Sequence, residues 1–230
     1  TEVDINEAGE HTITYTAKDS TGNSSTVTRK VNVVKTTTSE VIREGNKGEM
    51  YCADGKDCYN TKVTDNNYVW YSGRLWRVIK VNADGTVKMV TEESVAGILY
   101  DDDSSTFSAS MTNEWLSKEF YPELNNPSKI IAESNYCNHL LTNGSKLRFA
   151  CKADSVVTAK VGLLTIDEYN ILGGEEGYLN NGTWFFTMTP SGNQSVWVVN
   201  DLGEKVNNYA VTNPYAIRPV VTLKENITIT

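Results

Sequence analysis

Alternation of apolar and polar residues around short turns constrains this chain more than any other feature of its sequence. Residues 12–17 alternate with a period of two, a turn follows at residues 19–23, and residues 25–34 alternate again. Because successive side chains of a β-strand point to opposite faces, this pattern is typical of an antiparallel hairpin with one solvated face.

Strand patterns also fill the centre and the end of the sequence. Residues 66–91 hold three runs rich in aromatic and β-branched residues, separated by turn residues at 72–73 and 82–85. This spacing predicts a three-stranded meander. Further strands are predicted at residues 184–188 and 195–199, and closing strands follow them.

Two short helices are expected between these sets of strands. Ser110 or Thr112 can cap a helix that ends at Pro122, with its apolar residues on one face. Thr165 and Glu168 form a capping-box pattern at the start of a second helix. The predicted fold class is therefore α+β, mostly antiparallel β with two short helices.

Four cysteines restrict both the compartment and the folding of the chain. Of the three possible pairings, the local one joins Cys52 to Cys58 and Cys137 to Cys151 and closes the smallest loops. Structural zinc spacing is absent, since no C-x-x-C motif occurs and only two histidines are present. We therefore expect two disulfides and an extracellular protein.

The charge balance argues against nucleic acid as a partner. The net charge is −8 and no cluster of Lys and Arg offsets it, so a phosphate backbone would be repelled. No apolar run approaches the roughly 18 residues of a membrane span, and this fragment is not expected to insert into a membrane. Because the chain begins abruptly at Thr1, we expect it to be part of a longer protein.

The first residues resemble the end of a bacterial immunoglobulin-like repeat of the kind found along Gram-positive surface proteins. The resemblance rests on Gly-Glu-His-Thr-Ile-Thr-Tyr at residues 9–15, the turn at 19–23, and Val-Thr-Arg-Lys-Val-Asn-Val-Val at 27–34. It covers only the last strands of such a sandwich. We expect a partial immunoglobulin-like β unit at residues 1–35, followed by a linker at residues 36–48.

The rest of the chain resembles an uncharacterised module of surface proteins from Gram-positive gut bacteria. The matching motifs are Asn-Tyr-Val-Trp-Tyr-Ser-Gly-Arg-Leu-Trp-Arg-Val at 67–78, Trp115-Leu116, Phe120-Tyr121, and residues 161–169, 183–190 and 217–223. That module is distantly similar to the C-type-lectin-like fold, in the branch of the formylglycine-generating enzymes. The resemblance implies a C-type-lectin-like α+β domain over residues 49–230. Those enzymes use a cysteine pair near the C-terminus, and no cysteine follows Cys151, so their oxidase chemistry is not expected here.

Candidate catalytic groups are few, and each has a structural alternative. Cys137 and His139 are close in sequence, but an oxidised Cys137 cannot act as a nucleophile. A serine triad would need one of the two histidines as its base, and no G-x-S-x-G elbow occurs. The acidic pairs at residues 167–168 and 175–176 suit a helix first turn and a solvated loop. We expect no enzyme activity and no cofactor.

Three consecutive aspartates at residues 101–103 could offer oxygen ligands to calcium, which makes Asp101 and Asp103 weak metal candidates. The D-x-D-x-D spacing and the distal Glu of a calcium loop are missing, so a solvated acidic turn is the favoured interpretation.

The expected ligand face lies near the end of the chain. In C-type-lectin-like folds, ligands usually meet the loops before the final strand, which correspond here to residues 189–195, 200–201 and 207–215. Amide and aromatic side chains in and beside these loops could bind a sugar or a peptide, although core packing is an alternative for the two tryptophans. The predicted ligand-binding residues are Trp184, Asn193, Trp197, Asn200, Asp201, Tyr209, Asn213 and Tyr215.

These inferences predict a non-catalytic extracellular binding or adhesion module of a bacterial surface protein, with a glycan or a protein as its ligand. The alternatives are a structural spacer without a ligand and an accessory domain of a cell-wall hydrolase.

Overall fold

The chain divides into two compact units, one of residues 1–37 with 228–230 and the other of residues 38–227. The computed structural model describes residues 9–33, 36–52, 57–62, 64, 67–138, 140–143 and 146–227. The buried hydrophobic core belongs to the second unit.

The first unit contains the hairpin that the sequence predicts. Strand β1 spans Gly9–Lys18 and pairs antiparallel with β2, Ser24–Val33. The Asp19 carboxylate closes the turn by accepting the backbone N–H groups of Thr21 and Asn23, each at 2.9 Å. The side chains of Asn23 and Thr21 also donate to it, and these bonds lower the pKa of Asp19 to about 2.

Residues 36–48, predicted as a linker, instead contribute a helix to the second unit. Helix α1 spans Thr38–Gly45 and buries Ile42, which is 2% exposed. Thr38 fixes the start of the helix, since its N–H and its hydroxyl both donate to the Ile227 carbonyl, at 2.8 and 2.9 Å. The second unit therefore begins at this helix rather than at residue 49. Ile42 is the buried apolar residue of this short helix, and one such residue is too few to give the sequence a helical apolar pattern.

Six strands open the second unit. They are β3 (Met50–Cys52), β4 (Cys58–Asn60), β5 (Tyr68–Tyr71), β6 (Arg74–Val81), β7 (Val87–Thr91) and β8 (Ala96–Leu99). Strands β5, β6 and β7 form the predicted meander. Its first turn holds Ser72 and Gly73 at φ angles of 55° and 72°, the two positive values of a type I′ hairpin turn.

The first predicted helix is present but continues past Pro122. Ser110 caps α2 (Met111–Trp115), which runs through a π-helical segment (Leu116–Phe120) into α3 (Tyr121–Glu123). Proline lacks an N–H group, and the π-helical turn before it shifts the hydrogen-bond register so that the chain passes through this position. A further short helix, α4 (Pro127–Ile130), follows.

The remaining elements are strands on either side of the second predicted helix. They are β9 (Ile131–Ala132), β10 (Ser134–Cys137), β11 (Leu140–Asn143), β12 (Lys146–Cys151), β13 (Val156–Ala159), β14 (Val161–Gly162), helix α5 (Ile166–Ile171), β15 (Phe185–Gly192), β16 (Ser195–Val199), β17 (Lys205–Ala210), β18 (Pro214–Ile217) and β19 (Val220–Leu223).

Two larger sheets organise the second unit. The central sheet has the order β14-β19-β7-β6-β4-β3, with β5 beside β6 and β9 beside β19. The second sheet has the order β17-β16-β15-β18-β8, and β15 and β18 are its one parallel pair among the described strands. Strands β10 and β13, and strands β11 and β12, form separate two-stranded ribbons. This architecture is α+β and mainly antiparallel, in agreement with the sequence.

Both predicted disulfides are present. Cys52 is bonded to Cys58, which joins β3 to β4, and Cys137 is bonded to Cys151, which joins β10 to β12.

The tryptophans divide between the core and the surface. The strand pattern of residues 66–91 predicts that both Trp70 and Trp76 pack in the core. Trp76 is fully buried, which confirms the prediction, whereas Trp70 is 71% exposed and the prediction for it is wrong. Trp70 lies opposite Leu75 on the solvent face of the β5–β6 hairpin, so the alternation within β5 turns it away from the core.

Candidate functional site

A row of five side chains crosses five neighbouring strands of the central sheet. Tyr59 of β4 lies opposite Lys80 of β6, which lies opposite Lys88 of β7; Lys88 lies opposite Thr222 of β19, which lies opposite Ala132 of β9. Residues directly opposite each other on paired strands project from the same face of a sheet. The five residues, here named the cross-strand row, therefore form one strip.

A β-bulge in β6 brings Lys80 into this row. Val78 lies opposite Met89, but Lys80 lies opposite Lys88, so β6 carries one extra residue between these two pairs. In a regular strand, Lys80 would share a face with Val78, two residues before it, and would not lie in the row with Lys88. Bulges re-aim side chains in this way and are common beside functional sites.

The cross-strand row is the floor of a cleft of about 530 Å³. Helix α5, the β10–β13 ribbon and the turn between β6 and β7 supply the walls. The wall residues include Asp57, Asn82, Asp84, Thr86, Glu133, Ser134, Asn135, Tyr136, Cys137, Cys151 and Glu168.

A buried ion pair lies at the bottom of the cleft. The ammonium group of Lys88 contacts Oε1 of Glu168, and the two side chains are only 6% and 8% exposed. Burial lowers the pKa of Lys88, and the neighbouring Glu168 carboxylate partly opposes this effect.

The capping box at the start of α5 holds Glu168 in place. Its Oε2 accepts the N–H of Thr165 at 3.2 Å, and the hydroxyl of Thr165 accepts the N–H of Glu168 at 3.2 Å. The capping box predicted from the sequence is therefore confirmed, and the same carboxylate also neutralises Lys88.

Tyr136 covers the ion pair from the β10–β13 ribbon. The Lys88 ammonium lies 4.3 Å from the centre of the Tyr136 ring, and the tyrosine hydroxyl donates to the Val220 carbonyl at 2.8 Å. Gly162 packs against the same ring. Burial, the largest cause, and the Glu168 charge both raise the pKa of Tyr136, so the phenol stays protonated.

The rim of the cleft carries a second, more exposed pair. Lys80 pairs with Asp57 at 2.7 Å, and Asp57 also accepts the N–H of Ala83 at 2.8 Å. Asp84 accepts the N–H and the hydroxyl of Thr86 at 3.0 and 2.6 Å. Glu133 is exposed on the opposite wall and has no ion-pair partner within the described residues.

The hydroxyl of Thr222 is the unusual group of the floor. It is shielded from solvent, and no described residue lies within hydrogen-bond reach of it. A buried hydroxyl without a partner costs about 1–3 kcal/mol, so a water or ligand atom that bonded to it would recover part of that cost.

The arrangement suits recognition. Both lysines of the row are engaged by carboxylates, and an amine held as a charged ion pair is not a nucleophile. The side chains that line the cleft offer hydroxyl, amide and carboxylate groups to an incoming molecule.

The predicted ligand-binding residues whose side chains the structure describes lie elsewhere, and none of these seven lines the cleft. Trp184 and Tyr215 do meet: their rings stack with centres 5.5 Å apart and an angle of 19° between planes. Tyr215 also contacts the buried ring of Phe186 edge-on at 5.2 Å. This pair is half-buried and packs on the core.

The asparagines of the predicted ligand face form turns. The side-chain oxygen Oδ1 of Asn200 accepts the N–H groups of Leu202 and Glu204 at 3.0 and 2.8 Å, which closes the β16–β17 turn around the exposed Asp201. Asn193 is exposed in the turn before β16, at the opposite end of that strand. Asn193 and Asn200 therefore lie at opposite ends of β16.

Two further positions of that face are strand residues, which corrects the expectation of a single loop over residues 207–215. Tyr209 belongs to β17 and Tyr215 to β18, and the turn between these strands contains Asn213, whose N–H donates to the Ala210 carbonyl at 3.1 Å. The side chain of Tyr209 lies outside the described residues. Trp197 is half-buried within β16 and packs against the core.

The acidic turn at residues 101–103 uses its first carboxylate to accept backbone N–H groups of the turn and of α2. Its carboxylates lie within 4.8 Å of one another. Asp101 accepts the N–H groups of Asp103 and Ser104 through one oxygen and that of Met111 through the other, all at 3.0 Å. Burial alone would raise the pKa of Asp101, but these backbone donors together lower it. The carboxylate thus caps α2.

The cleft residues were not predicted from the sequence, although two of them interrupt apolar strand patterns. Lys88 interrupts the apolar run Val-Lys-Met-Val of β7, and Thr222 interrupts Val-Val-Thr-Leu of β19. A polar residue within an otherwise buried strand marks a position with a special partner. The pairing of these strands, which places the two residues side by side, was not visible in the sequence.

Comparison with known proteins adds one finding about the first unit. A family model described as a bacterial surface protein, Ig-like domain, matches residues 1–33. This match supports the predicted end of an immunoglobulin-like repeat in a bacterial surface protein, and it indicates an extracellular surface location. Searches of curated proteins and of solved structures give no significant match. Within the described residues, no helix has the length and apolar character to cross a membrane.

Proposed function

We propose that this chain is a non-catalytic ligand-binding module of a bacterial surface protein, and that the cleft above the cross-strand row is its binding site. Its second unit would be C-type-lectin-like in the broad sense, but with the ligand away from the loops before the final strand. The ligand would be a glycan or a protein displayed outside the cell.

The buried pair of Lys88 and Glu168 is the observation that carries the proposal. Placing two charges under a protein surface usually stabilises less than two well-packed apolar residues would. Sequences depart from such local rules mainly at functional sites. Here the pair lies beneath an open cleft, beside the unsatisfied hydroxyl of Thr222, so the departure coincides with a place where a ligand can enter.

The test is a binding screen with immobilised glycans and host extracellular-matrix proteins. Ser134→Trp places a large ring on the cleft wall and should abolish binding by filling the space. Ser128→Trp is the matched control, because Ser128 is exposed on α4 and does not line the cleft. Binding that is lost in the first variant and kept in the second supports the proposal. Binding unaffected by both variants would place the ligand elsewhere, and no binding to any probe would favour the spacer alternative.

A further inference from the structure

The chemistry of the cleft restricts the kind of ligand that it can accept, and this restriction deepens the proposed function and rests on it. Three features matter: the availability of ring faces, the balance of charge, and the unpaired hydroxyl on the floor.

Ring faces are not available for stacking. Tyr136 is fully buried and Tyr59 is 4% exposed, so neither can lie flat against a ligand. The ammonium groups of Lys88 and Lys80 already lie near these rings, at 4.3 and 5.2 Å from their centres. Recognition in the cleft must therefore come from hydrogen bonds rather than from aromatic contact.

The charge balance disfavours an anionic ligand. Lys88 and Lys80 are neutralised by Glu168 and Asp57. The carboxylates of Asp84 and Glu133 then remain on the walls without an ion-pair partner within the described residues, so the side chains that line the cleft carry a net negative charge. A sulfate, a phosphate or the carboxylate of an acidic sugar would be repelled by this charge.

Thr222 supplies the complementary group. It lies in the row between Lys88 and Ala132, and its hydroxyl has no partner within the described residues. A hydroxyl can donate and accept at once, which matches the hydroxyls of a sugar. From these features we infer that the cleft binds a neutral, hydroxyl-rich saccharide through edge-on hydrogen bonds, one of which reaches the shielded hydroxyl of Thr222 through one water.

The first arm of the test is an array on which neutral oligosaccharides are printed beside their sialylated and sulfated derivatives, probed with the full chain. The neutral members should bind better than their acidic counterparts. Glu133→Gln should raise binding of the sialylated derivatives by up to about fivefold, because it removes one like charge from the wall. Preferential binding of acidic members by the parent protein overturns the inference.

The second arm measures the Kd of the best neutral member with two isosteric variants. Thr222→Val should weaken binding roughly three- to tenfold, the value of one hydrogen bond. Thr91→Val is the matched control, since Thr91 is also a buried threonine with an unpaired hydroxyl on the central sheet but does not line the cleft. It should leave the Kd unchanged.

These outcomes separate the inference from the proposed function. If Thr222→Val binds as the parent does while Ser134→Trp abolishes binding, the cleft is the site but the saccharide is not recognised in this way. If only protein probes bind and Ser134→Trp abolishes that binding, the saccharide inference fails and the binding function stands.

Discussion

Lys88 shows how one residue can depend on a partner far away in sequence. It sits in a strand whose other positions are buried, and the carboxylate that neutralises it comes from α5, eighty residues later. In the low dielectric of the interior, an unpaired charge is far more costly than an unpaired charge in water. Lys88 and Glu168 should therefore behave energetically as one unit.

A double-mutant cycle tests this coupling. Lys88→Met alone strands the Glu168 charge and should lower the free energy of unfolding by about 3–5 kcal/mol. Adding Glu168→Gln should recover part of that loss, because no charge is then buried and a glutamine can still complete the capping box. Urea denaturation of the single and double variants measures both values.

The control for this cycle is the exposed pair of Glu114, in α2, and Lys118, in the π-helical segment that follows it. Its atoms lie 2.5 Å apart, but both side chains are more than half exposed. Its coupling energy should be about 0.5 kcal/mol or less. A coupling energy between Lys88 and Glu168 that is as small as this control value would show that the buried pair is not a unit.

At the scale of elements, the cleft depends on how the β10–β13 ribbon meets the central sheet. The Tyr136 ring packs where Gly162 of β14 has no side chain: a methyl group there would lie 2.6 Å from the ring. The ring cannot easily withdraw, because its hydroxyl is bonded to Val220 and the Lys88 ammonium lies near its face.

Gly162→Ala should therefore lower the free energy of unfolding by about 1–3 kcal/mol through overpacking. Gly97→Ala on β8 is the control, since a methyl group there meets no atom within 4 Å, and it should change stability by less than about 0.5 kcal/mol. Equal effects of the two substitutions, measured by denaturant unfolding, would contradict the described packing of Tyr136.

Elements set by local chemistry were predictable, and those set by tertiary contacts were not. The hairpin around Asp19, the meander and the capping box of α5 each follow from neighbouring residues. Helix α1 needs the core to receive Ile42, and the bulge in β6 appears only in the pairing with β7. The cross-strand row combines five strands, so its members could not be grouped from sequence spacing.

At the scale of the whole molecule, buried tyrosines link stability to alkaline pH. Burial raises the pKa of Tyr71 and Tyr169 to about 12, and it raises those of four others still further. These four are Tyr59, Tyr100, Tyr136 and Tyr178. Above pH 10 the unfolded chain releases phenolic protons that the folded protein retains, so stability falls as pH rises.

Two cations act in the opposite direction over the same range. Burial lowers the pKa of Arg218 to about 10 and also lowers that of Lys88, so each of these groups favours the folded state more as pH rises. Because six tyrosines oppose two cations, the urea midpoint should fall between about pH 10 and pH 12. Of the twelve tyrosines, the six whose pKa is raised should ionise only as the protein unfolds. Ultraviolet absorbance of tyrosinate, followed together with circular dichroism, would contradict this if all twelve ionised while the fold persisted.

In the proposed binding mode, the ligand enters the cleft above the cross-strand row rather than the face around Trp184 and Tyr215 that the sequence predicts. The most direct measurement is a chemical-shift titration of isotope-labelled protein with the strongest ligand of the binding screen. Binding in the cleft should place the largest backbone amide shifts on cleft residues such as Asn82, Glu133 and Asn135. Largest shifts at residues 193–201 or beside the stacked pair of Trp184 and Tyr215, with the cleft residues unmoved, would contradict it.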